Sequence, residues 1–140
     1  MNLVKNPLVV IDTNVWISGA FWIGIPHDII ERVKSQDIIP VFSHDTFDEL
    51  VGTLQRIGMM LRRADKAESA LKKAKKFAIF FEPRMHVSLS RDVHDNMFLD
   101  IAIVSHAAFL ITGDEDLLAL KTIESTKIIT PKQFIRLIGK

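Results

Sequence analysis

The sequence predicts an α/β domain built on a mostly parallel sheet with helices on both faces, and three observations carry that prediction. Short, continuous apolar runs rich in Val, Ile and Phe recur at residues 8–11, 38–42, 109–112 and 127–130, the pattern of strands buried on both sides. Segments with helical periodicity separate them, and a strand–helix alternation of this kind folds into parallel βαβ units. The third observation is size: 140 residues, 48% of them hydrophobic, with no Pro/Gly/Ser linker or internal repeat, read as one domain over residues 1–140 with its own core.

Each element has a local cause. Residues 8–11 (LVVI) form the first strand and end in Asp12-Thr13-Asn14. A helix begins near Pro26 or His27, because Pro is tolerated in a first helical turn. Residues 38–42 are the second strand. Ser43 suits the N-cap of a long helix in which Phe47, Leu50, Val51 and Leu54 recur at helical spacing and Asp45, Asp48 and Glu49 place negative charge in the first turns. Residues 60–81, dominated by Ala, Leu and Lys, continue helically until Pro83, and HVSL at 86–89 reads as a third strand. Asp92 or Asp95 caps the next helix, whose Phe98, Ile101, Ala102 and Ser105 share one face. FLIT at 109–112 is a buried strand running into Gly113-Asp114-Glu115-Asp116; a short helix, a last strand at 127–130 and a helix opened by Pro131 complete the chain.

Composition excludes several chemistries. Without cysteine there is no disulfide scaffold, thiolate metal site or thiol nucleophile, so a metal would be held by oxygen or imidazole. No apolar run approaches the roughly 18 residues of a membrane span, and no signal-peptide pattern follows the first apolar stretch; a cytoplasmic location is the expectation. The formal charge of +1 conceals an asymmetry. Residues 55–76 carry eight Lys or Arg against Asp65 and Glu68, leaving a net negative remainder. A basic segment on an acidic body is either a solvated helix or a phosphate-binding face, with Arg62, Arg63, Lys72 and Lys73 as candidate contacts.

In a parallel sheet, ligands bind beyond the carboxyl ends of the strands. Asp12 ends the first strand, Asp114 follows the FLIT strand, Asp92 and Asp95 stand at a helix start, and Glu49 lies early in its helix. Each has a structural reading as well: Asp95 as a cap, Glu49 as a solvated charge, Asp114 and Asp116 as turn residues. Asp12 is harder to explain that way, because a carboxylate directly after LVVI is costly to bury unless it is paired or bound to metal. Converging carboxylates raise one another's pKa unless a cation joins them. Oxygen-only ligation suits Mg²⁺ or Mn²⁺, and such an ion supports phosphodiester hydrolysis.

Four ordered motifs, VVIDTNVWISGAF, DELVGTL, RDVHDNMFLDIA and AAFLITGDEDLLAL, resemble the PIN domain family, and the resemblance extends over residues 8–138. Within that family the chain is most similar to bacterial and archaeal toxin components of toxin–antitoxin pairs. The resemblance implies a three-layer α/β/α fold around four or five mostly parallel strands and a Mg²⁺- or Mn²⁺-dependent endoribonuclease. It implies Asp12, Glu49, Asp95 and Asp114 as catalytic and metal-site acids, with Asp116 substituting for or assisting Asp114. Asn14 would steady Asp12 through its amide and Thr112 would offer a hydroxyl. Asp100, about 500° around the helix from Asp95, points elsewhere. Asp92 is left between ligand and turn former, and the third acid position can also be read at Asn96. An RNA substrate, a cognate antitoxin and homodimerisation follow from the same resemblance, with Trp16, Phe21, Trp22 and Ile23 either forming an interface or closing the core.

Two enzyme classes share the strand-end acid. A haloacid-dehalogenase-like phosphatase would need a second acid where Asn14 stands, and a receiver domain would need an Asp on the third strand. The non-enzymatic alternative is a PIN-like module that binds RNA or protein without cutting.

Overall fold

The computed structural model describes residues 6–139. In chain order the elements are β1 (Leu8–Ile11), α1 (Thr13–Phe21), α2 (Ile25–Lys34), β2 (Ile39–Phe42), α3 (His44–Met60), α4 (Ala64–Phe77), β3 (Ile79–Phe80), a 3-10 turn at Val93–Asp95, α5 (Asn96–Ser105), β4 (Phe109–Ile111), α6 (Glu115–Leu118), β5 (Thr122–Ile123), β6 (Thr126–Ile129) and α7 (Pro131–Ile138). The strands form one sheet in the order β3-β2-β1-β4-β6-β5, parallel except for β5 against β6. No described helix is long and apolar enough to cross a membrane.

Strand alternation divides the core into two layers. Val9, Ile11, Phe109 and Ile111 face α1, α2, α3, α4 and α7, whereas Val10, Val41 and Leu110 face α5 and the Leu117 region. That makes three layers, with helices covering both faces of a parallel sheet. Gly19 lets α1 and α2 approach closely: a Cβ there would lie 2.7 Å from Ile30 Cγ1 and from the carbonyl oxygen of Pro26. Ser43 and Thr130 both close capping boxes, at the starts of α3 and α7.

The structure corrects the expected elements at several points. The sheet has six strands rather than four or five, the additions being the two-residue edge strands β3 and β5. The segment 86–89 is not a strand: the N–H of Val87 donates to the Asp100 carboxylate at 2.8 Å instead of to a sheet ladder. The third parallel strand is Ile79–Phe80, inside the stretch expected to be helical, where Phe80 packs on Phe42 and Phe47 at 5.9 and 5.2 Å between ring centroids. The helix expected over 60–81 instead breaks after Met60. Arg62 adopts a φ of 54° and the N–H of Arg63 returns to the Gly58 carbonyl before α4 begins.

Helix α1 had no sequence signal because TNVWISGAF is buried nearly all round, so no polar face marks a period. The aromatic cluster divides in two. Trp16 and Phe21 are core residues, while Trp22 and Ile23 are exposed.

The chain leaves central β1 for β2 and β3 on one side, then crosses to β4 and β6 on the other. The carboxyl ends of β1 and β4 therefore flank the point where strand order reverses. Ligand sites in open parallel sheets fall at such switch points.

Candidate functional site

Asp12 stands directly beyond β1. Its N–H continues the ladder to the Ile111 carbonyl at 3.0 Å, so the register of β1 against β4 fixes where its side chain begins. Asp12 is 6% exposed. Its Oδ1 accepts the backbone N–H of Asn14 at 3.4 Å, capping α1, and its Oδ2 accepts the Thr112 hydroxyl at 2.6 Å. The Asn14 contact is thus made by its main chain, not its side-chain amide. Burial pushes the Asp12 carboxyl above its ordinary range, and the Thr112 hydroxyl partly opposes this by binding the charged form.

Thr112 joins two of the acids. While donating to Asp12, its Oγ1 accepts the N–H of Asp114 at 2.9 Å. Asp114 caps α6, with Oδ1 accepting from the N–H groups of Asp116 and Leu117 at 2.8 and 3.1 Å. A carboxylate at this position follows from ordinary capping chemistry, yet it also reaches Asp92 and Asp95: one oxygen from each of the three lies within 4.8 Å of the others.

Asp92 and Asp95 arrive on the 3-10 turn Val93–Asp95 and the residue that precedes it. Asp92 caps the 3-10 turn, its Oδ1 accepting the N–H of His94 at 3.0 Å. Asp95 is buried and makes no side-chain capping bond; its Oδ2 has no hydrogen-bond partner among the described residues. Burial, followed by the charges of Asp114 and Asp92, pushes its pKa up to about 7.

A cavity of about 240 Å³ gathers these groups. Asp12, Glu49, Asp92, Asp95 and Asp114 line it, with Thr13, Asn14, Thr53, Arg56, His94 and Phe98 completing the wall. Glu49 is half-buried and turned toward the 3-10 turn, its Oε2 lying 2.6 Å from His94 Nε2.

Other candidates lie elsewhere. Asp116 is ion-paired with Arg91 at 2.9 Å and does not line this cavity. Asp100 projects to the other side of α5, where it accepts from Val87 and contacts His86 Nδ1 at 2.9 Å. Asn96 is occupied by the N–H of Ser90 at 2.9 Å, so Asp95, not Asn96, supplies the acid to the cavity.

The expected phosphate contacts are also displaced from the acids. Arg63 is held by Asp65, Lys72 by Glu68 and Lys73 by Glu31. Arg62 lies in the turn beyond α3, and Lys72 lines an apolar groove between α3 and α4. Sequence reasoning counted Arg56 within the basic segment 55–76 without singling it out and overlooked Thr53, although their positions seven and four residues after Glu49 place all three on one helical face.

The donor set fits a hard divalent cation. Three carboxylates at mutual ligand distance, one with a buried and unpartnered oxygen, are electrostatically unfavourable without a positive charge, and only oxygen atoms are offered.

Comparisons with known proteins give a family and a fold. A family model described as PIN domain matches residues 8–116. An uncharacterized protein, MJ1680, of Methanocaldococcus jannaschii is 30% identical, the match covering 91% of this chain and 88% of the relative. The crystal structure of PAE2754 from Pyrobaculum aerophilum superposes with a TM-score of 0.58 at 21% identity, covering 96% of this chain and 91% of that one. The crystal structure of VapBC2 from Rickettsia felis, bound to a DNA fragment from its promoter, superposes with a TM-score of 0.56 at 12% identity, covering 88% and 98%.

Proposed function

The chain belongs to the PIN domain family, and from that premise we propose that it is a divalent-metal-dependent endoribonuclease of a single domain over residues 1–140. The observation that carries this reading is the meeting of Asp92, Asp95 and Asp114 in the cavity that Asp12 and Glu49 also line. Family membership sets aside the phosphatase and receiver-domain alternatives, and a five-carboxylate wall favours an active enzyme over a module that only binds.

In this reading Asp92, Asp95 and Asp114 hold Mg²⁺ or Mn²⁺, and Asp12 and Glu49 extend the ligand set. When bound, the ion acidifies a water and neutralises charge on the oxygen that leaves phosphorus. The rest of the work falls to this chain's own groups. Thr112 fixes the Asp12 carboxylate and the Asp114 backbone in one frame, so two acids from different strands keep a constant relation. His94 ties Glu49 to the 3-10 turn and draws the two walls of the cavity together. Burial and the neighbouring charges raise the Asp95 carboxyl to about 7 in the metal-free protein, and a bound cation would favour its charged form.

A partner protein is part of the proposal. The likeness to VapBC2 supports reading the chain as the toxin of a toxin–antitoxin pair that acts in the cytoplasm, with the antitoxin covering the acid cavity and the chain able to pair with a second copy. Purified protein is expected to cut RNA with Mg²⁺ or Mn²⁺ and to stop on chelation. Expression is expected to arrest growth unless the adjacent open reading frame is supplied. RNA cleavage that continues undiminished in EDTA would refute the metal mechanism, and normal growth alongside active enzyme would refute the toxin role.

A further inference from the structure

Arg56 lines the acid cavity but is exposed and forms no ion pair among the described residues, although five carboxylates share that wall. Helix α3 explains how both facts hold together. Glu49, Thr53 and Arg56 lie on one face, and Arg56 follows Glu49 by seven positions, a rise of about 10.5 Å along the axis. The helix thus brings a guanidinium to the wall that the carboxylates share, where it pairs with none of the described acids. A hydroxyl, that of Thr53, stands between the two.

Such a stripe offers a second contact to a substrate with more than one phosphate. A phosphodiester at the acids occupies the Glu49 end, and Arg56 enters the wall two helical turns further along α3. A strand with consecutive phosphates reaches both ends. Guanidinium is the side chain best matched to phosphate, through parallel N–H bonds to two oxygens. The stronger cation clusters of the chain, Lys72 and Lys73 on α4, are engaged by Glu68 and Glu31 and line other grooves.

We infer that Arg56 holds a phosphate neighbouring the one at the acids, so that the site selects an oligonucleotide strand over a mononucleotide ester. The inference rests on the nuclease reading of the cavity, but it predicts binding as well as cleavage. Wild-type protein, R56A and R56K are compared with Mn²⁺ on a hexaribonucleotide and on bis(p-nitrophenyl) phosphate, which has one phosphodiester. Binding of a fluorescent hexaribonucleotide is followed by anisotropy in Ca²⁺.

The ratio of kcat/KM for hexamer over small diester is expected to fall about tenfold in R56A and less in R56K, with a comparable loss of hexamer affinity. The salt slope of binding should drop by about 0.7, the value of one single-strand phosphate contact. A ratio that stays within twofold with unchanged affinity overturns the inference, as does an equal loss on both substrates. If wild-type protein cuts neither substrate, hydrolysis fails as a reading, and the anisotropy decides Arg56 alone: weaker binding by R56A upholds the contact, and equal binding removes it.

Discussion

The two walls of the acid cavity are built by different means. Asp12 and Asp114 project from the ends of β1 and β4, neighbouring parallel strands in register, and a single hydroxyl, that of Thr112, bonds to both. Asp92 and Asp95 belong to a stretch that has no strand or α-helix between Phe80 and Asn96. That stretch is held by side chains that reach its backbone, Asp100 to Val87 and Asn96 to Ser90, and by the ion pair of its Arg91 side chain with Asp116. One wall inherits the rigidity of the sheet, and the other depends on a few separable bonds. The difference teaches that an acid site can be half templated by fold and half adjustable, with the adjustable half carrying the most perturbed carboxyl.

Both walls should be indispensable for chemistry while responding oppositely in stability. Asp12→Asn and Asp95→Asn are each expected to lower RNA cleavage by about 100-fold or more, since each removes a carboxylate proposed to hold the cation. In the metal-free protein at pH 8, however, Asp12→Asn should melt lower, having lost an acceptor. Asp95→Asn should melt higher, having lost a buried charge with an unpartnered oxygen. If the two variants shift the melting temperature in the same direction, the distinction between the walls fails.

Acidity sharpens the same contrast. Asp95 is raised from 3.8 to about 7, so the folded state binds a proton that the unfolded chain releases between those values. Stability from this group is complete below its ordinary pKa and is lost as pH rises through about 7. Asp12, raised by burial, acts in the same direction. The melting temperature of metal-free protein is expected to fall between pH 5.5 and 8; Asp95→Asn should flatten that slope, and millimolar Mn²⁺ should reverse it. A slope unaffected by either would remove Asp95 as its source.

Smaller effects separate the tethers. Thr112→Val leaves the Asp12 oxygen and the Asp114 N–H without their shared partner and should cost about 2 kcal/mol in chemical denaturation. Asp100→Ala acts on a half-exposed segment and should cost about 1 kcal/mol. Its clearer signature is faster hydrogen exchange at Val87 and Ser90, with β1 and β4 unchanged. Uniform acceleration across the sheet would show that the two walls unfold together. His94→Ala breaks a partly exposed contact and should cost only about 0.5 kcal/mol.

Much of the fold was legible from local chemistry. Ser43 marked the start of α3, Pro131 the start of α7, and the Val- and Ile-rich runs marked β1, β2, β4 and β6. Helix α1 was hidden by its own burial, and β3 by a Lys-rich helix running into it, with only aromatic packing on Phe42 and Phe47 to draw Ile79–Phe80 to the edge of the sheet. The candidate site was legible to the extent that strand ends mark where carboxylates gather: Asp12 and Asp114 follow β1 and β4, and Glu49 and Asp95 line the same cavity. The partners of each acid were not legible.

By itself the sequence determined the alternating α/β class, the absence of thiol chemistry and an edge rich in carboxylates, because periodicity, composition and strand termini are properties of neighbouring residues. Only the tertiary structure decided that Asp92 joins Asp95 and Asp114 while Asp116 turns to Arg91, and that Arg56 borders the acids while Lys72 and Lys73 do not. Those choices depend on distances between residues far apart in the chain. Sheet order and helix packing set such distances, and no local pattern encodes them.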